Sequence, residues 1–328
     1  MYKRTILQLS ATLLSVLAIH TVQAQTLSAS SRPLQIVVPY PAGGPLDRLA
    51  RLVAPALGNE LGRTVIVDNR AGASGIIGTG AVARTLPANG DTLLLVNQTT
   101  FASNPVIFDE LPYDVEKDFT PVSQAVKFDM ILAVNPEVLP ASNLGELLAL
   151  AKRTPEGLNF GTSGIGGTPH LLMELFSLRS GANLVPIHYK GMAPALQDLM
   201  AGHVSAMFLE RSAAQPLIQS GRLRAIAVPG KQRLEMLPDV PTLDELGFPE
   251  VDIQAWAGFA MRSGTPENLV TDMARAYAKV NSLPDVQAGL ASADMSPVSS
   301  TPEEFGNFIK NETQRVRELV SARPIKLE

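Results

Sequence analysis

The chain has 328 residues, of which 45% are hydrophobic and 18% are charged, and its formal net charge is −4. This composition is too apolar for a disordered protein, and the acidic balance offers no basic surface for nucleic acid. Because the sequence contains no cysteine, it excludes disulfides, thiolate catalysis, cysteine-ligated zinc and a lipid-anchored cysteine.

The first 24 residues have the layout of a secretory signal peptide. Two positive residues, Lys3 and Arg4, precede an apolar run over residues 6–19, which is shorter than the ~20 residues that span a bilayer. Small residues follow and end in Ala24. We therefore predict export to the periplasm with cleavage near Ala24, and an uncleaved N-terminal membrane anchor is the alternative.

Strand and helix patterns alternate along the rest of the chain. Predicted strands cover, in chain order, residues 34–38, 65–67, 92–96, 131–134, 158–161, 184–187, 206–208, 223–228 and 251–260. Predicted helices cover residues 46–61, 76–84, 144–151 and 193–201, and three more begin at residues 169, 265 and 301. This alternation favours an α/β fold with parallel sheets covered by helices on both faces.

The C-terminal portion predicts a discontinuous domain. Helices dominate after the strand that holds Trp256, and that strand can rejoin an earlier sheet. The predicted lobes are residues 32–130 with 256–328, and residues 131–255. Two crossings of the chain would form a hinge, and a cleft between two lobes is a common place for a ligand.

Three glycine-rich loops carry the candidate site. We call residues 39–47 the first glycine loop, residues 69–75 the second and residues 161–170 the third. Each follows a predicted strand and opens a predicted helix, so free N–H groups and the positive helix end point to the same place. Such loops bind carboxylates, phosphates or sulfates without a basic side chain. The alternatives are plain tight turns, an Asp47 that binds main-chain amides, and a Thr168 that serves as a helix N-cap.

The signatures of common enzyme sites are missing from the sequence. Neither a phosphate-binding loop nor a dinucleotide-binding glycine motif is present. Ser74 and Ser163 each lack the glycine that a nucleophile elbow requires two places later. The histidines do not have the spacing of zinc ligands. We predict a protein that is not an enzyme, with no catalytic residue, no cofactor and no metal.

Six blocks of sequence, spread over nearly all of the chain after the signal peptide, resemble the motifs of one family. In chain order, the blocks are VPYPAGGPLD (38–47), VDNRAGASG (67–75), YDVEKDFTPV (113–122), GTSGIGGTPHL (161–171), YKGMAPAL (189–196) and LPDVPT (237–242). Each block is a weak signal alone, but their order is specific. The chain therefore resembles the Bug (TctC-like) family, the extracytoplasmic solute receptors of tripartite tricarboxylate transporters.

The resemblance implies a type II-like periplasmic binding protein with two lobes. Each lobe would hold a mostly parallel sheet flanked by helices, and a two-strand hinge would let the lobes close on a small organic acid. The implied ligand-binding residues are Tyr40, Ala42, Gly43, Gly44, Asp47, Thr162, Ser163, Gly164, Thr168 and Lys190. The resemblance also implies a monomer whose partners are the membrane permease subunits of such a transporter.

Two positions depart from the family pattern. Ala42 stands where the family usually has a second proline. Leu209 directly follows a Met-Phe pair, where the family often has an acidic residue, and Glu210 comes one place later. If the family's acidic residue selects the far end of the ligand, the second departure weakens the expectation of an acidic amino acid, whose ammonium group needs a carboxylate partner.

Three functions follow from these observations. The first is an exported receptor that captures a carboxylate-bearing solute and delivers it to a permease. The second is a periplasmic ligand sensor that reports to a signalling partner such as a sensor kinase. The third, an exported α/β enzyme, lacks support from any catalytic motif in the sequence. The ligand itself has no signature in the sequence.

Overall fold

The structure is a computed structural model that describes residues 32–325, so the predicted signal peptide lies outside the described residues. This part of the chain contains eleven strands. In chain order they are β1 Leu34–Val38, β2 Val65–Asn69, β3 Thr92–Asn97, β4 Phe119–Phe128, β5 Met130–Val134, β6 Leu158–Thr162, β7 Leu184–His188, β8 Ala206–Glu210, β9 Arg224–Ala227, β10 Ala255–Arg262 and β11 Met295–Pro297.

The same residues form eleven α-helices, none of which is both long enough and apolar enough to cross a bilayer. They are α1 Pro45–Leu61, α2 Ile76–Arg84, α3 Asn104–Ile107, α4 Val115–Asp118, α5 Leu144–Arg153, α6 Thr168–Ser180, α7 Met192–Ala201, α8 Arg211–Gln219, α9 Glu267–Asn281, α10 Pro284–Ser292 and α11 Pro302–Ala322. A short 3₁₀ turn covers Ala73–Gly75, and a π-helical turn covers Thr99–Ser103.

The strands form two sheets. The six-stranded sheet has the order β11-β4-β10-β3-β1-β2, and the five-stranded sheet has the order β7-β6-β8-β5-β9. The chain passes from the larger sheet to the smaller one at Asp129 and returns between β9 and β10. Strands at both ends of the sequence therefore share one sheet. The lobe boundaries, residues 32–130 with 256–328 and residues 131–255, stay our proposal.

Both sheets are mixed, which corrects the expectation of mostly parallel sheets. Parallel pairing is confined to β1 with β2 and β3, and to β6 with β7 and β8. In the larger sheet β10 pairs antiparallel with β3 and β4, and in the smaller sheet β5 pairs antiparallel with β8 and β9. The path of the chain explains part of this pattern, because a chain that leaves the larger sheet along β4 and comes back along β10 runs in opposite directions in these neighbouring strands.

Helix packing follows the apolar pattern of the sequence. In α1, Leu49, Val53 and Leu57 are fully buried on one face, as their three- and four-residue spacing requires. The helix ends at Gly62, whose φ of 64° is the left-handed value that glycine adopts without strain. The predicted capping box of α11 is present, since the Thr301 hydroxyl accepts from the Glu304 amide and the Glu304 carboxylate accepts from the Thr301 amide.

The position of α11 on the larger sheet depends on a glycine in β10. A Cβ atom at Gly258 would lie 2.7 Å from the carbonyl oxygen of Ser123 and even closer to the ring of Phe305. The Phe305 ring packs edge-on against Trp256, with 5.4 Å between ring centroids. Both rings are buried. The Phe305 ring lies between α11 and β10 and has no room to move aside.

We predict that Gly258→Ala lowers the free energy of unfolding by about 1–3 kcal/mol, because the methyl group forces the backbone or the Phe305 ring to shift. Urea denaturation followed by circular dichroism measures the effect. Gly306→Ala is the matched control, since its Cβ would meet only Pro121 Cγ at 3.7 Å. We expect that variant to be unchanged or stabilised by about 0.5–1 kcal/mol, as is usual within a helix. Equal stability of the two variants would contradict this description of the packing.

Candidate functional site

A cavity of about 550 Å³ lies between the two sheets. Its walls include the first and third glycine loops, the loop that precedes α7, and the ends of β3, β8 and β10. Two other cavities, of about 670 and 780 Å³, are each lined by residues near the larger sheet alone. We call the 550 Å³ cavity the cleft, and it is the candidate site because both sheets and the first and third glycine loops contribute to it.

Three helices begin at the cleft. The lining residues in or next to their first turns are Gly44, Pro45 and Leu46 for α1, Gly167, Thr168 and Pro169 for α6, and Gly191, Met192, Ala193 and Pro194 for α7. Helix α1 packs on β1 and β2 of the larger sheet, whereas α6 and α7 pack on the smaller sheet. Because the first N–H groups of a helix have no partner within the helix, each start presents donors and a positive partial charge. An anion between these starts is attracted from both sides of the cleft.

The structure brings most of the sequence-predicted residues together at the cleft. The predicted residues that line it are Tyr40, Ala42, Gly44, Ser163, Gly164, Thr168 and Lys190. The predicted residues that are not among its lining are Gly43, Asp47 and Thr162. The second glycine loop contributes one lining residue, Ser74.

Tyr40 fixes the first glycine loop to the end of β3. Its hydroxyl donates to Asn97 Oδ1 at 3.2 Å, and Asn69 Nδ2 donates to its carbonyl oxygen at 3.1 Å. Burial raises the pKa of Tyr40 to about 12, against the effect of its hydrogen bonds. The phenol is therefore neutral at physiological pH and forms an uncharged part of the cleft wall.

Asp47 holds the first glycine loop from within the protein. Its Oδ2 accepts from the Gly43 amide at 2.8 Å, and both carboxylate oxygens lie 3.0 Å from Arg51 Nε. Burial acts to raise the pKa of Asp47, but the hydrogen bonds from Arg51 and Gly43 outweigh it and lower the pKa below its usual value. The geometry favours the structural role of Asp47. It also means that the Gly43 amide is already engaged and is not offered to the cleft.

Thr162 plays a similar part behind the third glycine loop. It is fully buried at the end of β6, and its hydroxyl lies 2.8 Å from His188 Nδ1. The same oxygen accepts from the Gly164 amide at 3.3 Å. Thr162 therefore shapes the turn that places Ser163 and Gly164 on the cleft wall.

A buried polar chain supports the same loop from α6. His170 Nδ1 accepts from the Gly166 amide at 3.1 Å, which leaves the proton on Nε2, 3.5 Å from Glu174. Glu174 also contacts Arg323, just beyond the end of α11. Burial acts to raise the pKa of Glu174, but His170 and Arg323 together lower it below its usual value. These polar side chains link the third glycine loop to the end of α11, which packs on the other sheet.

Thr168 is not the N-cap that the sequence suggested. Gly167 occupies the cap position in an extended conformation, with φ −68° and ψ 155°, and Thr168 is the first residue of α6. Thr168 therefore lies within the first turn, directly before Pro169, and not at the cap. Within residues 32–325, the hydroxyl groups of Thr168 and Ser163 make no hydrogen bond, and both residues line the cleft. Two side-chain donors are thus available beside the start of α6.

Gln98 is a cleft residue that the sequence analysis missed. It follows β3, it is 1% exposed, and Trp256 Nε1 donates to its Oε1 at 2.6 Å. This bond fixes the orientation of the amide, and its Nε2 group has no hydrogen-bond partner among the described residues. A buried donor without a partner costs free energy of folding. An acceptor atom on a ligand in the cleft would provide the missing hydrogen bond. The rule that ligands bind beyond the carboxyl ends of strands would have identified it.

Glu210 is the second cleft residue that the sequence analysis did not identify as part of the site. It is the last residue of β8 and lines the cleft, while the preceding Leu209 is fully buried. Alternation along the strand explains the difference, because successive side chains point to opposite faces. Burial raises the pKa of Glu210 above its usual value, and the charge of Arg48 opposes that effect.

The described residues contain no group of three or more histidine, cysteine, aspartate or glutamate side chains that could hold a metal ion. Among the uncharged groups of the cleft are main-chain amides, the hydroxyl groups of Ser163 and Thr168, and the side-chain amide of Gln98. This set of uncharged donors is suited to bind a small anion without a metal.

Comparison with known proteins gives consistent matches. Residues 49–325 match the family described as tripartite tricarboxylate transporter family receptor. Protein BugT of Bordetella pertussis is 37% identical over 308 residues, which cover 94% of this chain and 93% of BugT. A solved structure of an R. palustris protein with adipate has a TM-score of 0.81 and 31% identity, and covers 90% of this chain and 98% of that one. MatC of Rhodopseudomonas palustris with bound malate has a TM-score of 0.78 and 27% identity, and covers 88% of this chain and 99% of MatC.

We predict that Asp47→Asn lowers the free energy of unfolding by about 1.5–3 kcal/mol at neutral pH, because it removes a charged acceptor from two hydrogen bonds. The lowered pKa of Asp47 makes its contribution complete above the unfolded value of about 3.9 and lost as the pH falls through the folded value. The difference from the wild type should therefore shrink as the pH falls below about 4 and through the lowered pKa of Asp47. Urea denaturation at several pH values measures it.

Asp239→Asn is the control for this prediction, because Asp239 is exposed and the same chemical change there touches no glycine loop. We expect the control to follow the wild type at every pH. A deficit of Asp47→Asn that stays constant from neutral to acid pH would contradict the assigned role of Asp47.

Proposed function

The chain belongs to the tripartite tricarboxylate transporter receptor family, and we propose that it captures a small carboxylate-bearing solute in the cleft between its sheets. This family is one of solute-binding receptors and not of enzymes. The observation that carries the proposal is the meeting of helix starts from both sheets at one cleft. The solved relatives with adipate and with malate support a carboxylate as the class of ligand.

The hydrogen-bond donors at the cleft can supply enough free energy to bind a carboxylate with micromolar affinity. A hydrogen bond to a charged group contributes about 1.5–3 kcal/mol net. Five such bonds, from main-chain amides, Ser163, Thr168 and Gln98, give about 7–15 kcal/mol before the costs of ordering and association. Micromolar affinity requires about 8 kcal/mol. A ligand carboxylate therefore needs no buried arginine here.

The remaining walls of the cleft suit the hydrocarbon part of such a solute. Apolar side chains from both halves face it, including Phe128, Met130, Ile165, Met192 and Trp256. Burying them against a ligand contributes roughly 25 cal/mol per Å² of apolar surface. The expected solute is thus a carboxylate with an apolar body that fits about 550 Å³.

The location and the partner complete the proposal. We place the protein in the periplasm after cleavage near Ala24, as a monomer that hands its solute to the permease subunits of a tripartite tricarboxylate transporter. A ligand that takes donors from both sides of the cleft binds most tightly when the sides are close, so binding shifts the population to the closed form. The permease would recognise that closed form.

A panel of organic acids tests the binding proposal. We expect native mass spectrometry of the purified protein, together with thermal shifts on added mono- and dicarboxylates, to find an acid that binds at a ratio of one to one. Small-angle scattering should then show a smaller radius of gyration at saturation. Binding without compaction would contradict the closure step, and a panel in which no carboxylate binds would contradict the proposed function.

We predict that Gln98→Glu weakens binding of the acid found in this way by at least tenfold, since an oxygen for Trp256 remains but the Nε2 donor is replaced by negative charge. Isothermal titration calorimetry measures the loss. Gln287→Glu makes the same change on the exposed face of α10 and should bind like the wild type. Equal affinities of the two variants would remove Gln98 from the site.

A further inference from the structure

We propose that Glu210 selects a ligand in which the carboxylate is accompanied by an amino group, so that the cleft prefers an amino-bearing acid to a dicarboxylic acid. The inference rests on the proposed function and names the chemical class of solute for the same cleft. It depends on the position of Glu210 at the cleft and on its lack of an ion-pair partner among the described residues.

Glu210 and Lys190 are the charged side chains that line the cleft in the described part of the chain. Neither makes an ion pair there, and the side chain of Lys190 is exposed. The neighbouring cation Arg211 is committed elsewhere, because it pairs with Asp129 and Asp294 at 3.6 and 2.9 Å. A carboxylate without an ion-pair partner among the described residues thus lines the cleft, together with an exposed lysine.

The Glu210 side chain makes no hydrogen bond or ion pair with the other described residues. The residue is the N-cap of α8, but its side chain makes no capping hydrogen bond. Glutamate is not among the side chains that usually cap a helix start, and here both carboxylate oxygens stay available for a ligand. Arg48 influences Glu210 through its charge but forms no ion pair with it within the described residues.

The strand register brings Glu210 close to the anion-binding loop. Ala206 of β8 lies beside Phe160 of the parallel strand β6. Continuing this register puts Phe208 beside Thr162 and Glu210 two residues further, level with the third glycine loop. Glu210 and Thr168, the first residue of α6, also line the same cleft, so one ligand can contact both.

The charge of Glu210 then decides between classes of acid. A second carboxylate on the ligand would meet the like charge of Glu210, which disfavours it. An ammonium group would gain a charge-assisted hydrogen bond and would also compensate for the burial of Glu210. The helix starts suit the carboxylate of the ligand, and Glu210 suits its ammonium group.

Two matched sets of acids test the inference by calorimetry. The aliphatic set is norleucine, ε-aminocaproate, hexanoate and adipate, and the aromatic set is phenylalanine, phenylpropanoate and benzylmalonate. Within a set that binds, we expect an amino-bearing member to bind at least tenfold more tightly than its members without nitrogen. In Glu210→Gln we expect that margin to disappear while the affinity for the plain monocarboxylate stays within about threefold. Glu303→Gln, an exposed change on α11, is the control and should keep the margin.

The outcomes separate this inference from the function on which it rests. A dicarboxylate or plain monocarboxylate that binds as tightly as the amino-bearing acids would overturn the role of Glu210 and leave the carboxylate cleft standing. A margin that survives in Glu210→Gln would also overturn it. If none of the seven acids binds, the carboxylate cleft itself is contradicted, and the inference falls with it.

Discussion

Main-chain N–H groups at the starts of α1, α6 and α7 converge on one cleft from two different sheets. These groups have no partners within their helices, and the helix dipoles add positive potential at the same place. Proline at or near the first position favours the start of each helix; it removes one N–H group, and the other amides of the first turn remain as donors. The proposed capture of a small acid depends on this convergence, and most of the polar residues around the cleft serve to maintain it.

The supporting residues work from behind the cleft. Asp47 fixes the first glycine loop, and Thr162 and His170 fix the third, each by accepting from a glycine amide of its own loop. The loops are therefore preorganised, which lowers the entropy that a ligand would have to offset on binding. The contact of Arg323 with Glu174 ties the C-terminal helix to the same network, although the helix packs on the other sheet.

The sequence predicted the local structure well and the long-range structure less well. Buried strands, glycine loops and the capping box at Thr301 depend on neighbouring residues, so periodicity and turn chemistry identify them. The antiparallel pairing of β4 with β10 depends on a return of the chain after more than a hundred residues, which no local pattern encodes. The same limit applies to the cleft. The use of the Gly43 amide by Asp47, and the presence of Gln98 and Glu210 on its walls, depend on which side of a strand or loop each group faces.

The most direct test of the central claim is a crystal structure of the protein with a bound acid. The account predicts that the ligand carboxylate lies within about 3.2 Å of main-chain nitrogens at the start of α1 and of α6 or α7, directly or through one water. A carboxylate held by one side of the cleft alone, or bound outside the cleft at a basic surface residue, would contradict it.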